Sequence, residues 1–183
     1  MVRLLRPSSL LLPILILSAA GLGAQERSGP AVFAHYTQAD GVTKSASVGL
    51  TAEVGIRGPL ALTVEMGDWA SRGDCPHLVP TTCGTGGWTL LAGGRIRFED
   101  SSGRVGPFGR ALLGRYEGSS GVPRGRASPA LLVEAGLDVR VVGMARVRLS
   151  LIHQRAFDDD FEATLGEAIR YTGLRLGVGL ESR

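Results

Sequence analysis

The sequence predicts an all-β fold, an eight-stranded antiparallel up-and-down transmembrane β-barrel. Three observations carry that prediction. Apolar and polar residues alternate with a period of two through most of the chain, the mark of strands with one apolar and one polar face. The connections between these segments switch between short and long, as they do in barrels with short turns on one rim and loops on the other. Glycine, at 27 of 183 residues, is about twice as frequent as in an average protein and excludes an ordinary helical bundle. With 44% hydrophobic and 20% charged residues, the chain is too apolar to be intrinsically disordered.

The N-terminal residues 1–24 read as an export signal. Arg3 and Arg6 form a positive start, residues 10–24 an apolar run broken by Pro13, and Gly21, Gly23 and Ala24 a small-residue cleavage site before Gln25. The run is shorter than the ~20 residues that a spanning helix needs. Residues 25–183 then form one barrel domain.

Eight segments follow in order. Residues 31–38 are a weakly patterned first strand. Residues 47–57 set Val48, Leu50, Ala52, Val54 and Ile56 against Thr51, Glu53 and Arg57, and residues 60–69 set Leu60, Leu62, Val64 and Met66 against Thr63 and Glu65. Residues 88–99 oppose Trp88, Leu90, Ala92, Ile96 and Phe98 to Thr89, Arg95, Arg97 and Glu99. Residues 105–116 make a fifth strand whose faces the pattern does not assign, because Phe108, Arg110 and Leu112 share one of them. Residues 131–141 oppose Leu131, Val133, Ala135, Leu137, Val139 and Val141 to Glu134, Gly136, Asp138 and Arg140, and residues 145–154 oppose Ala145, Val147, Leu149 and Leu151 to Arg146, Arg148, Ser150 and Gln154. Residues 170–181 close the series, with Thr172, Leu174, Leu176, Val178 and Leu180 against Tyr171, Arg175 and three glycines. Tight turns are expected at Gly58-Pro59, residues 101–104 and Val142-Gly143, and long connections at residues 70–87, 117–127 and 156–168.

In this pattern the chain resembles the small eight-stranded outer-membrane β-barrel proteins, the superfamily that includes outer-membrane proteins A and X. The resemblance spans residues 31–180 and rests on strand pattern; GPFGRALLG at residues 106–114 is loosely similar to the family's Gly-rich middle strand. It implies an outer-membrane location, lipid and lipopolysaccharide as surroundings, and interfacial aromatics for which Trp69, Trp88, Phe98, Phe108 and Tyr116 are the candidates. Where family members finish on an aromatic residue, this chain ends LGVGLESR.

If the apolar face meets lipid, the polar face fills a lumen just wide enough for side chains. That places Glu53, Glu65, Glu134 and Asp138 with Arg95, Arg97, Arg140, Arg146, Arg148 and Arg175 inside, where buried charges must pair. Arginine suits the task, since its five donors bridge several carboxylates, and 19 of the 20 basic residues are Arg, Lys44 being the exception. Alternation also admits a soluble periplasmic ligand-binding β-barrel whose apolar face is the core.

No catalytic, cofactor or metal constellation is expected. His35, His77 and His153 are scattered, without companions at metal-ligand spacing. Some barrels of this superfamily are lipid A deacylases with a His and a Ser two residues apart; here IHQRAF puts Arg155 where the serine would follow His153, so the nucleophile is missing, and Ser150 falls on the opposite strand face. Thinly spread arginines give no nucleic-acid footprint. Cys75 and Cys83, in an exported segment, are expected to form a disulfide. In the other long connections, Arg124 and Arg126, and Asp158, Asp159 and Asp160, are candidate contacts for lipopolysaccharide or a protein partner of a monomeric barrel.

Overall fold

A computed structural model describes residues 29–41, 44–72, 84–98, 103–118, 127–157 and 169–182. Residues 1–24, and with them the expected export signal, lie outside the described residues. Eight strands follow one another: β1 (Ala31–Gly41), β2 (Lys44–Arg57), β3 (Leu60–Arg72), β4 (Gly84–Arg97), β5 (Val105–Gly118), β6 (Ala127–Val142), β7 (Ala145–Ala156) and β8 (Ile169–Glu181). Each pairs antiparallel with the next, and β8 pairs with β1, closing the barrel.

The register fixes the barrel's geometry. From Ala31 on β1, successive cross-strand partners are Glu53, Thr63, Gly93, Leu112, Leu132, Gln154 and Tyr171, and the last pairs with Gly41. One circuit therefore returns ten residues further along β1, since 41 − 31 = 10. With ordinary strand rise and spacing, a stagger of that size across eight strands tilts them by about 40°.

Strand alternation sends apolar side chains outward. Leu112 is fully buried while its neighbour Leu113 is 66% exposed, and Val48, Leu50, Leu62, Met66, Leu151, Leu174 and Leu180 all stand on the outer surface. The apolar face is thus not the core, contrary to what a soluble barrel requires. Closure leaves no sheet edge unpaired, the condition for strands to cross a bilayer.

Both two-residue turns sit at the same end as the β4–β5 connection. Gly58 and Gly143 open them at φ 54° and 55°, a left-handed conformation that side chains disfavour. The second turn lies at Gly143-Met144, one residue beyond the expected Val142-Gly143, because β6 runs on to Val142 through a bulge after Arg140.

Two expectations are corrected. β5 does have two faces: Phe108, Arg110 and Leu112 all point inward, because the lumen is layered and accepts both charged and apolar residues. Trp69, Phe108 and Tyr116 are buried inside instead of forming an outer girdle. Trp69 stacks on Tyr171 with ring centroids 5.1 Å apart, and together with Tyr116, Leu91, Leu112, Leu132 and Ile152 they form an apolar cluster in the half of the lumen towards the long connections. Trp88 and Phe98 are half-buried, and Tyr36 on β1 is half-exposed.

Candidate functional site

The half of the lumen nearer the turns holds the charges. Glycines on the inner face make room for them: a Cβ on Gly49 would come within 2.5 Å of the His35 ring, and one on Gly179 within 2.4 Å of the Phe33 ring. Among the described residues the buried luminal ions are Glu53, Glu65, Glu134, Asp138 and Glu181 with Arg95, Arg97, Arg110, Arg146, Arg148 and Arg175.

The upper cluster contains two guanidinium groups and two carboxylates. Arg110 donates from Nη2 to Glu65 at 2.5 Å and from Nε to Glu134 at 2.7 Å. Arg175 donates from Nη1 to both Glu65 and Glu134 at 2.9 Å, and from Nε to the Thr37 hydroxyl at 2.8 Å. Ser150 donates to Glu134 at 2.6 Å and Thr51 to Glu65 at 3.2 Å. His35 packs beside them, Nε2 3.7 Å from Glu65 and Nδ1 3.3 Å from the Thr51 hydroxyl.

The lower cluster is centred on Arg148. Its guanidinium grips Glu53 at 2.8 and 3.1 Å and Asp138 at 2.7 and 3.0 Å. Two rings pack against the group too, the Phe33 centroid lying 4.0 Å and the Phe108 centroid 4.4 Å from Cζ. Arg95 sits 3.3 Å from Glu53 and from Asp138. Arg97 reaches Glu181 at 2.5 and 3.2 Å and Asp138 at 3.5 Å, and Arg146 pairs with the same Glu181. Desolvated charges of this kind persist only when paired and hydrogen-bonded, and arginine's fork permits several bidentate contacts at once.

Of the ten residues expected in the lumen, Arg140 is placed differently. It has the inward parity of Asp138 but is only half-buried at the mouth, with no ion pair among the described residues. The reason is its setting: its cross-strand partner is Arg146, a like charge, and Asp138 is already engaged by Arg148, Arg95 and Arg97. Arg110, Glu181 and His35 join the lumen although the sequence pattern does not assign them to it. Glu181 was detectable by parity, since it lies six residues from Arg175 on the same strand face.

No group of three or more His, Cys, Asp or Glu residues among those described is arranged to hold a metal ion. His153 faces outward, its Nδ1 2.8 Å from the Thr172 hydroxyl, while Ser150 is buried in the lumen. Cys75, Cys83, Arg124, Arg126, Asp158, Asp159 and Asp160 lie outside the described residues.

Comparison with solved structures places this architecture. Neisserial surface protein A superposes with a TM-score of 0.60 at 17% identity, over 82% of this chain and 94% of that one. The N-terminal β-barrel domain of Pseudomonas aeruginosa OprF gives 0.58 at 14% identity, covering 85% of this chain and all of the domain. The chain has the fold of the small eight-stranded outer-membrane β-barrels. The Yersinia pestis outer membrane protein Ail, in a phospholipid bilayer nanodisc, matches at 0.51 and 15% identity over 86% of this chain and 100% of that one. No protein-family model matches the sequence, and no curated protein aligns with it significantly. The apolar exterior fits the fold's usual outer-membrane setting.

Proposed function

We propose that the protein is a monomeric, non-catalytic outer-membrane barrel with a plugged lumen, and that its long connections are its interacting surface. The observation that carries this reading is the division of the molecule into an apolar exterior and a lumen filled by ion pairs at one end and aromatic packing at the other. A lumen so filled over the described residues leaves little room for solutes or for chemistry, so the variable surface is the loops.

In this reading the two-residue turns face the periplasm and the long connections face outward. Cys75 and Cys83 then form a disulfide on the cell surface, restraining residues 76–82 as a fixed display, with Arg124, Arg126 and Asp158 to Asp160 beside it to meet lipopolysaccharide phosphates or a protein partner. The luminal network of Glu53, Glu65, Glu134 and Asp138 with arginines serves as internal bracing for that platform. Intact cells, gently reduced, are expected to react with a membrane-impermeant maleimide at Cys75 and Cys83. Labelling only after the outer membrane is opened overturns the topology and removes the loops as a binding surface.

A further inference from the structure

The outer wall is not evenly covered. Where β3, β4 and β5 approach the turn end, the outward positions Gly94, Gly109 and Ala111 carry no more than a methyl group, while Ile56, Leu60, Leu62 and Ile96 stand around them as full apolar side chains. Together they bound a groove of about 410 Å³, within the roughly 300–1,000 Å³ of small-ligand sites. Arg95 and Arg110 also border it, but their guanidinium groups are engaged in the lumen. The floor is open: a Cβ on Gly94 meets nothing nearer than 4.0 Å, and one on Gly109 nothing nearer than 3.8 Å. Register places it, Leu60 pairing with Ile96 and Ile96 with Gly109, and in the next outward row Leu62 with Gly94 and Gly94 with Ala111. A cation stands at its rim. The bulge of β2 between Gly55 and Arg57 sets Arg57 directly opposite Leu60. Opposed residues share a face of the sheet, so Arg57 is exposed on the outer side, at the turn-end edge of the groove.

We propose that this groove is a binding site for one acyl chain of an anionic glycerophospholipid whose headgroup phosphate is held by Arg57, a reading that rests on the outer-membrane setting above. Inside a bilayer there is no water to fill a hollow, and a hollow left empty forfeits the dispersion contacts of every atom that lines it. A flexible hydrocarbon chain conforms to such a floor and restores them. A second copy of the barrel fits it less well, because a two-fold contact presents the same patch from both partners and sets hollow against hollow. The rim supplies the choice of headgroup. A guanidinium fork at the membrane edge pairs bidentately with a phosphate, and it attracts a lipid of net negative charge over a zwitterionic one. On the topology proposed above the turn end lies in the periplasmic leaflet, which is where glycerophospholipids are found.

The test is native mass spectrometry of the purified, folded protein, delipidated in zwitterionic micelles and titrated with phosphatidylglycerol or with phosphatidylcholine of the same chains. One saturable phosphatidylglycerol adduct is expected, favoured at least fivefold over phosphatidylcholine. Gly94→Leu fills the groove from a position with room for a side chain and is expected to weaken both lipids at least fivefold. Arg57→Gln is expected to abolish the preference for phosphatidylglycerol, and Arg170→Gln, which alters an outward arginine near the opposite rim, to leave it unchanged. A heat-dependent mobility shift retained in each variant shows that the barrel is folded. Absence of a saturable adduct, binding indifferent to Gly94→Leu, or a headgroup preference that survives Arg57→Gln overturns the proposal. So does a dimer that Gly94→Leu dissociates, which identifies a second copy as the occupant. Micelles have no sides, so failure here leaves the membrane topology to the maleimide experiment and does not decide it.

Discussion

Glu134 accepts hydrogen bonds from Arg110, Arg175 and Ser150. Replacing it with leucine leaves Arg175 facing Glu65, and Arg110 facing Glu65 and the more distant Glu53 at 4.0 Å. Glu134→Leu is expected to destabilise the barrel by roughly 3–5 kcal/mol, the usual cost of breaking a buried pair from one side, measured as the shift in urea unfolding of the protein in micelles. Arg148→Lys tests a different property. The lysine keeps the charge but cannot grip Glu53 and Asp138 together while packing a planar group against Phe33 and Phe108. A loss of about 1.5–3 kcal/mol is expected, the worth of a charged hydrogen bond, and a variant as stable as wild type contradicts the assigned role. Strand alternation set many of these charges on one face, but it passed over Arg110 and Glu181 and gave no account of how the charges divide. Arg140 has the parity and chemistry of a luminal arginine but, among the described residues, no unengaged carboxylate beside it, a property of neighbouring strands together.

At the scale of a strand, alternation identified nearly every element and its lipid-facing side, because lipid accepts one class of side chain. The inner side is mixed, and there the pattern weakens. β5 carries Phe108 against Arg148, Arg110 among carboxylates and Leu112 in the apolar cluster, three environments on one inner face. Trp69 and Tyr116 fill width that charged side chains leave elsewhere, so they could not be told from interfacial aromatics by composition. Adjacent glycines of β4 separate inside from outside in a testable way. A Cβ on Gly93 would fall 2.1 Å from the Ala111 carbonyl oxygen, whereas one on Gly94 meets nothing nearer than 4.0 Å. Gly93→Ala is therefore expected to lose about 1–3 kcal/mol through forced backbone movement, and Gly94→Ala to stay within ~0.5 kcal/mol of wild type. Equal stability of the two variants contradicts the β4–β5 packing described.

The molecule as a whole combines a closed ladder of backbone hydrogen bonds with a lumen that, over the described residues, is occupied by buried side chains. Unheated protein is expected to migrate in SDS at a different apparent mass from boiled protein, since detergent has no free edge at which to begin separating strands. Planar-bilayer recording is expected to detect no large stable conductance, because side chains fill an eight-stranded lumen. A steady channel in the reconstituted wild type runs against the plugged arrangement.

The pairing of Ala31 with Glu181 also bears on chain order. It brings the two ends of the barrel side by side on the rim that carries Gly58-Pro59 and Gly143-Met144, where another hairpin would sit. No strand is structurally first. A circular permutant that joins residue 181 to residue 31 through a short Gly-containing linker and opens at Gly143-Met144 keeps all eight pairings, with β7 now leading and β6 trailing. Such a chain is expected to reach the same closed ring, since what defines the barrel is the cyclic sequence of neighbours and not the point where synthesis starts.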